Sequence, residues 1–226
     1  MSVVDHTIAD AVITSMKTHK RKEADFYPTP VDATKVICDR ISLDSGTIVW
    51  EPACGDGAMA EVISTYVGKD HVIATELRTD GGYGRGGIDF LASTEDDHLH
   101  IPEWIITNPP FNLAREFIEK ALSITPNVAM LLKATYWSAA SRHSLFIEHP
   151  PAWVLPLTWR PAFLEAERGK SPLMEVCWLV WEKNHIGPTK FEPLLRPKSD
   201  RVKTQFTGVN RLNDTIQHSY LELLGL

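Results

Sequence analysis

A chain of 226 residues with 43% hydrophobic and 23% charged residues carries enough apolar material for one sizeable core, which excludes disordered and collagen-like classes, and is too short for two full domains. Its 23 lysines and arginines against 29 acidic residues give a net charge of -6, so a uniformly positive surface is excluded and any polyanion must be met by a local basic face. The longest run without a charged residue is the 12 residues 121–132, which include Pro126, well short of the roughly 20 needed to span a bilayer. No membrane partner is expected. The opening residues MSVVDHTIAD lack the basic cap and apolar run of a signal peptide, so a cytoplasmic location is expected.

Residues 1–24 read as an arm containing the basic run KTHKRK at 17–22. Pro28 and Pro30 in DFYPTP each remove an amide donor, so no regular helix runs through them. Val31, Thr34, Val36, Ile37 and Ile41 predict a short helix ending before Gly46. TIVW at 47–50 predicts a strand, EPACGDG at 51–57 a glycine turn, and Met59, Val62, Ile63 and Tyr66 a helix. VIAT at 72–75 predicts a second strand, followed by the glycine-rich loop GGYGRGG at 81–87, a small strand around 88–91 and the strand WIIT at 104–107. Phe117, Ile118, Ala121 and Leu122 share a helical face, and VAMLL at 128–132 is the next strand. This alternation predicts a mostly parallel central sheet with helices on both faces, an α/β fold. A helix over 137–148, a strand at 152–155 and a longer strand at 175–182 complete the core. The long 157–174 segment between the last two lacks helical period and predicts an antiparallel return around a loop. Beyond 184, Pro188, Pro193 and Pro197 predict an extended C-terminal extension, 185–226, packed across the domain, with a short helix near 214–224. Cys38, Cys54 and Cys177 are an odd set at wide spacing and read as reduced thiols rather than a disulfide framework; no metal site is expected.

Two groups of residues carry chemistry. EPACGDG follows the first strand, where an open parallel sheet places ligands beyond its carboxyl ends. Gly55 and Gly57 permit close backbone approach, and the next helix offers free amides. Without G-x-G-x-x-G, and with Glu51 leading the turn, this loop suits a cofactor amine or sugar better than a pyrophosphate. GKS at 169–171 is not a phosphate loop, because Leu164 stands where its first glycine belongs. Glu76, about 20 residues beyond the turn at a strand end, suits ribose hydroxyls. Asp89 suits an adenine amino group, with Phe90 beside it as an aromatic wall. The second group is TNPPF at 107–111, directly after WIIT. Its adjacent prolines fix the backbone so that the Asn108 side chain and the Pro109 carbonyl can converge on one amino group, with Phe111 as a stacking face.

Together FYPTP, EPACGDG, Glu76, Asp89 and NPPF resemble the amino-methyltransferase branch of S-adenosylmethionine-dependent enzymes, and most nearly the DNA adenine-N6 methyltransferases. The resemblance covers about residues 25–182 and implies a three-layer, Rossmann-like class I fold with a C-terminal antiparallel strand and a catalytic domain at 25–184. By resemblance, Phe26, Tyr27, Thr29 and Pro30 pack over the methionine end of S-adenosylmethionine. Glu51, Pro52, Ala53, Gly55 and Gly57 hold the cofactor, Glu76 its ribose, and Asp89 with Phe90 its adenine. Asn108, which also borders the cofactor, forms the catalytic pocket with Pro109, Pro110 and Phe111, and Phe111 stacks on an adenine flipped out of DNA. Arg160, Arg168 and Lys170 in the 157–174 loop, with Trp137 and Arg142, are the candidate DNA contacts, beside a second basic run at 190–211.

Neighbouring chemistries fit less well. An RNA base or a protein glutamine is the main alternative acceptor, but glutamine enzymes of this kind usually have tyrosine at the position of Phe111 and a helical N-terminal domain. Cytosine-N4 enzymes more often have serine in place of Asn108. Cytosine-C5 transfer needs a Pro-Cys nucleophile, whereas Ala53 precedes Cys54. An NAD-dependent oxidoreductase would need the missing phosphate fingerprint, and none of the histidines sits in a motif that makes it a proton-transfer group. A noncatalytic nucleotide-binding module is the remaining alternative.

Overall fold

The computed structural model describes residues 28–80, 82–95, 100–163, 172 and 174–198. The expected arm, Phe26, Tyr27, Arg168, Lys170 and the helix near 214–224 lie outside these residues. Among the described residues eight strands form one sheet: β1 (Val49–Glu51), β2 (Val72–Glu76), β3 (Arg85–Gly86), β4 (Trp104–Thr107), β5 (Val128–Lys133), β6 (Trp153–Pro156), β7 (Val176–Trp181) and β8 (Lys190–Phe191). Their spatial order is β3-β2-β1-β4-β5-β7-β6-β8. From β3 to β5 every pair is parallel, whereas β7 runs antiparallel to both β5 and β6. This is the mostly parallel sheet with an antiparallel C-terminal strand that the sequence predicts.

Side-chain alternation explains why the central strands are apolar throughout. Along β5, Ala129 and Leu131 face one core while Val128, Met130 and Leu132 face the other; along β7, Val176, Trp178 and Val180 oppose Cys177, Leu179 and Trp181. A strand covered on both faces must be hydrophobic at every position. One core is closed by α1 (Val31–Arg40) and α2 (Ala58–Val67), through Ile37, Cys38, Met59, Ile63 and Val67. The other is closed by α3 (Ala114–Ile124) and the short α4 (His143–Glu148), through Ala114, Phe117, Ile118, Ala121 and Leu145. Two fully buried indoles find acceptors within the core: Trp50 Nε1 donates to Thr75 Oγ1 at 2.9 Å, and Trp178 Nε1 to Ala33 O at 3.0 Å, fastening α1 to the sheet. Among the described residues no helix is long and apolar enough to cross a membrane.

Three expected elements differ. The small strand is Arg85–Gly86, inside the glycine-rich loop, and not 88–91. Residues 88–91 turn instead, with the Asp89 carboxylate accepting from the Leu91 amide at 3.0 Å. The helix expected over 137–148 is only His143–Glu148, because the chain after β5 makes tight turns in which the Tyr136 amide donates to Lys133 O and the Ser138 amide to Thr135 O. The proline-rich segment after 185 adds β8 alongside β6, where ion pairs Arg40–Glu192 at 2.8 Å and Asp32–Arg196 at 2.7 Å tie it to α1.

Candidate active site at the strand carboxyl ends

The order β3-β2-β1-β4-β5 reverses direction between β1 and β4, and such a switch point opens a crevice at the strands' carboxyl ends. Both motif groups lie there. Glu51 is the last residue of β1, Glu76 the last of β2, and Asn108 follows the last residue of β4.

The turn after β1 is held by backbone bonds from Cys54 to Thr75 O at 3.0 Å and from Gly57 to Cys54 O at 2.7 Å. Gly57 caps α2 at φ +86°, a left-handed conformation that costs other residues about 1–2 kcal/mol. A Cβ there would also lie 2.2 Å from Cγ of Tyr83, since the Tyr83 ring rests on this glycine. Gly57→Ala is therefore expected to lower stability by about 2–5 kcal/mol, strain and overpacking together. Denaturant unfolding checks this. In a double-mutant cycle Tyr83→Ala recovers the overpacking share and leaves the backbone share.

Glu76 accepts from the Gly55 amide at 2.8 Å and from the Arg78 amide at 3.1 Å, so it braces the glycine turn as well as facing the crevice. Both oxygens keep a lone pair for a further donor. Glu51 is 2% exposed, and its Oε2 has no hydrogen-bond partner. Burial pushes its carboxyl up to about 8, partly offset by a hydrogen bond from the Ala60 backbone, with the charges of Asp56 and Glu76 adding to the rise. The Cys54 thiol is pushed up to about 12, by burial first and then by Glu51 and Glu76, and is no thiolate nucleophile.

Asn108 Nδ2 donates to Thr29 Oγ1 at 3.1 Å, while Asn108 Oδ1 is buried without a partner. The neighbouring Thr107 hydroxyl is likewise buried and unpartnered. Glu51 and Asn108 thus each bring an unpartnered buried oxygen to the carboxyl ends of the adjacent strands β1 and β4, while Thr107 by alternation falls on the sheet face of Ile105. Buried polar groups are rarely left so, and one at a strand end beside a switch point suits a polar guest. Pro110 O is taken by the Leu113 amide at 2.9 Å, whereas no described backbone amide donates to Pro109 O. Phe111 opens a short 3-10 turn, Phe111–Leu113, and remains partly exposed.

The remaining sequence candidates separate. Thr29 meets Asn108, and Pro30 caps α1. Asp89 is exposed at the crevice side of β2's neighbouring turn, where Ile88 donates to Glu76 O at 3.0 Å. The Phe90 ring is buried, 5.2 Å from Trp50 and 4.9 Å from Phe117, so it anchors Asp89 from within the core. Arg160 is paired with Glu175 at 2.5 Å. Arg142 is folded onto Tyr136, donating to its carbonyl and lying 4.1 Å from its ring centroid. Trp137 is 41% exposed. Sequence reasoning missed Lys133, whose ammonium lies 4.9 Å from the centroid of Phe111.

No protein-family model and no curated protein matches the chain. Solved structures do. A methyltransferase subunit of a type I restriction-modification system from Streptococcus thermophilus shares 14% identity over 85% of this chain and 53% of its own, with a TM-score of 0.57. A modification subunit assigned to a type I restriction enzyme of Vibrio vulnificus shares 14% over 95% and 57%, with a TM-score of 0.54. A protein of Listeria monocytogenes assigned as a class I S-adenosylmethionine-dependent methyltransferase shares 13% over 83% and 70%, at 0.53. The chain has the class I methyltransferase fold. It spans a little over half the length of the two restriction-modification subunits.

Proposed function

We propose that this chain transfers the methyl group of S-adenosylmethionine to the N6 amino group of adenine in DNA. The observation that carries the reading is Asn108: its donor end is held by Thr29 while its acceptor end is buried and vacant of partners. An exocyclic amine supplies the donors this acceptor lacks.

The chain's residues fit the cofactor. Glu51, buried with a bare oxygen beside the glycine turn, suits a cationic amine, which would favour its ionised form. Glu76 would accept from ribose hydroxyls, and Asp89, whose second oxygen bonds no described residue, from the adenine amino group. When bound, S-adenosylmethionine supplies an electrophilic methyl on its sulfonium. The protein's part is positioning. Adenine's amine is a weak nucleophile because its lone pair is delocalised into the ring. Asn108 Oδ1 and Pro109 O would accept its two hydrogens and favour a more tetrahedral nitrogen with the lone pair directed at the methyl. Phe111 would stack on the flipped base.

Thr29 is a positioning residue in this scheme. Thr29→Val removes the acceptor that orients the Asn108 amide, and about a tenfold fall in kcat is expected, equivalent to roughly one hydrogen bond. KM for DNA should change little, and Thr29→Ser should restore turnover. The central test is transfer of labelled methyl from S-adenosylmethionine to duplex DNA, followed by nucleoside analysis for N6-methyladenine. Transfer to RNA or to a protein glutamine, with none to DNA, would overturn the substrate assignment. Absence of cofactor binding by calorimetry would overturn the reading altogether.

A further inference from the structure

Lys133 closes β5, and β5 outruns its neighbour. The register pairs Thr107 with Met130, so Lys133 stands three residues, roughly 10 Å, beyond the end of β4. The chain leaving β4 turns through Asn108, Pro109 and Pro110, and this overhang brings Phe111 beneath the lysine, with Nζ 4.9 Å from the ring centroid. Across the antiparallel pair the residue opposite Lys133 is the buried Val176, which offers it no charge. Among the described residues Lys133 has no carboxylate partner.

Other cations at this end are differently placed. Arg160 is held by Glu175, Arg142 by the Tyr136 ring and carbonyl, and Arg115 by Glu119 at 2.8 Å and by Ser141 O at 2.8 Å. Glu175 is in turn occupied by Arg160, and Glu51 is buried away from solvent. In a chain of net charge -6, an exposed ammonium is thus kept at the lip of the pocket with a ring face as its partner. An exposed cation–π contact is worth only about 0.5–1 kcal/mol, little enough that a stronger anionic partner can draw the ammonium off the ring.

Resting on the DNA reading above, we infer that Lys133 contacts the phosphate of the nucleotide whose base stacks on Phe111. One charge beside the stacking ring couples base insertion to backbone capture: the nucleotide that occupies the pocket also brings the phosphate that neutralises the lysine. Phosphate contacts position without reading sequence, so Lys133 serves every target adenine alike.

The test uses the full chain, with Lys133→Gln, Lys133→Arg and, at the turn following β7, Lys183→Gln as a control. Duplex binding is measured by fluorescence anisotropy across a salt series, and cofactor affinity by calorimetry. Lys133→Gln should weaken DNA binding roughly 3- to 10-fold at about 0.1 M salt and reduce the slope of log K against log salt by about 1. Lys133→Arg should retain the slope, and Lys183→Gln should match the parent. Cofactor affinity should be unchanged in all three, and the melting temperature of Lys133→Gln should fall by no more than about 2–4 °C, the loss of one exposed cation–π contact. An unchanged slope for Lys133→Gln, in a parent protein that binds cofactor and methylates DNA, overturns this inference and leaves the DNA reading intact. A parent that binds cofactor without binding DNA overturns both.

Discussion

Replacing Asn108 with alanine is expected to lower kcat about 10²–10³-fold, the usual cost of deleting one positioned polar group at a reacting centre. Cofactor affinity should fall by no more than a few-fold, because the glycine turn and Glu76 are held by bonds that Asn108 does not share. Stability should fall little or even rise, since the alanine variant no longer buries an unpartnered carbonyl. Asn108→Asp separates acceptor from shape. Aspartate keeps an oxygen for the amine and can accept from the Thr29 hydroxyl in place of donating to it, so it should retain more activity than alanine. Single-turnover methylation with saturating cofactor, alongside calorimetric Kd, checks all of this. A variant that loses cofactor binding and turnover in parallel would show that Asn108 serves the cofactor and does not act on the amine.

The same residue shows how far sequence reading reaches. The WIIT strand lies at 104–107 as expected, because three apolar residues and a β-branched threonine, closed off by Asn108 and a double proline, leave the chain no other regular structure. β5 and β7 were legible for the same reason: doubly buried strands carry an unbroken apolar run. The strand Arg85–Gly86 was not, since glycines have no side chain to set a period. What places it is close approach, as a Cβ on Gly84 would lie 2.4 Å from Ala74 O. Phe90 is ambiguous in sequence because an aromatic beside a carboxylate reads equally as a ligand wall or as a core anchor. Its packing against Trp50 and Phe117 comes from the sheet's twin cores, which no local pattern shows. Thr29 and Asn108 are 79 residues apart, and Lys133 reads in sequence as an ordinary polar strand end. Their meaning comes from register and overhang, which no local pattern encodes.

Glu51→Gln should alter both stability and ligand binding in a pH-dependent way. The carboxyl is raised to about 8 in the folded chain, against the usual value near 4.5 when unfolded. Below about 4.5 both states hold the proton. Between there and about 8 the unfolded chain has lost it while the folded chain retains it, so the unfolded state binds fewer protons and stability falls as pH rises. Denaturant unfolding of the ligand-free protein should show this decline for the parent, and Glu51→Gln, which cannot ionise, should remove Glu51's share of it. A cationic amine reverses the preference by favouring the carboxylate. Cofactor binding should then release a proton near pH 7, visible in calorimetry as a dependence on the buffer's ionisation enthalpy. Parental affinity should weaken as pH falls below about 8. At pH 8 Glu51→Gln should bind the cofactor about 10–100-fold more weakly, the scale of one charge-assisted hydrogen bond. The gap should narrow toward pH 6, where the parent too must spend binding energy to ionise Glu51. A gap independent of pH, or binding without proton release, would mean that the buried carboxyl stays protonated and meets a neutral group, and the cofactor amine would have to be placed elsewhere in the crevice.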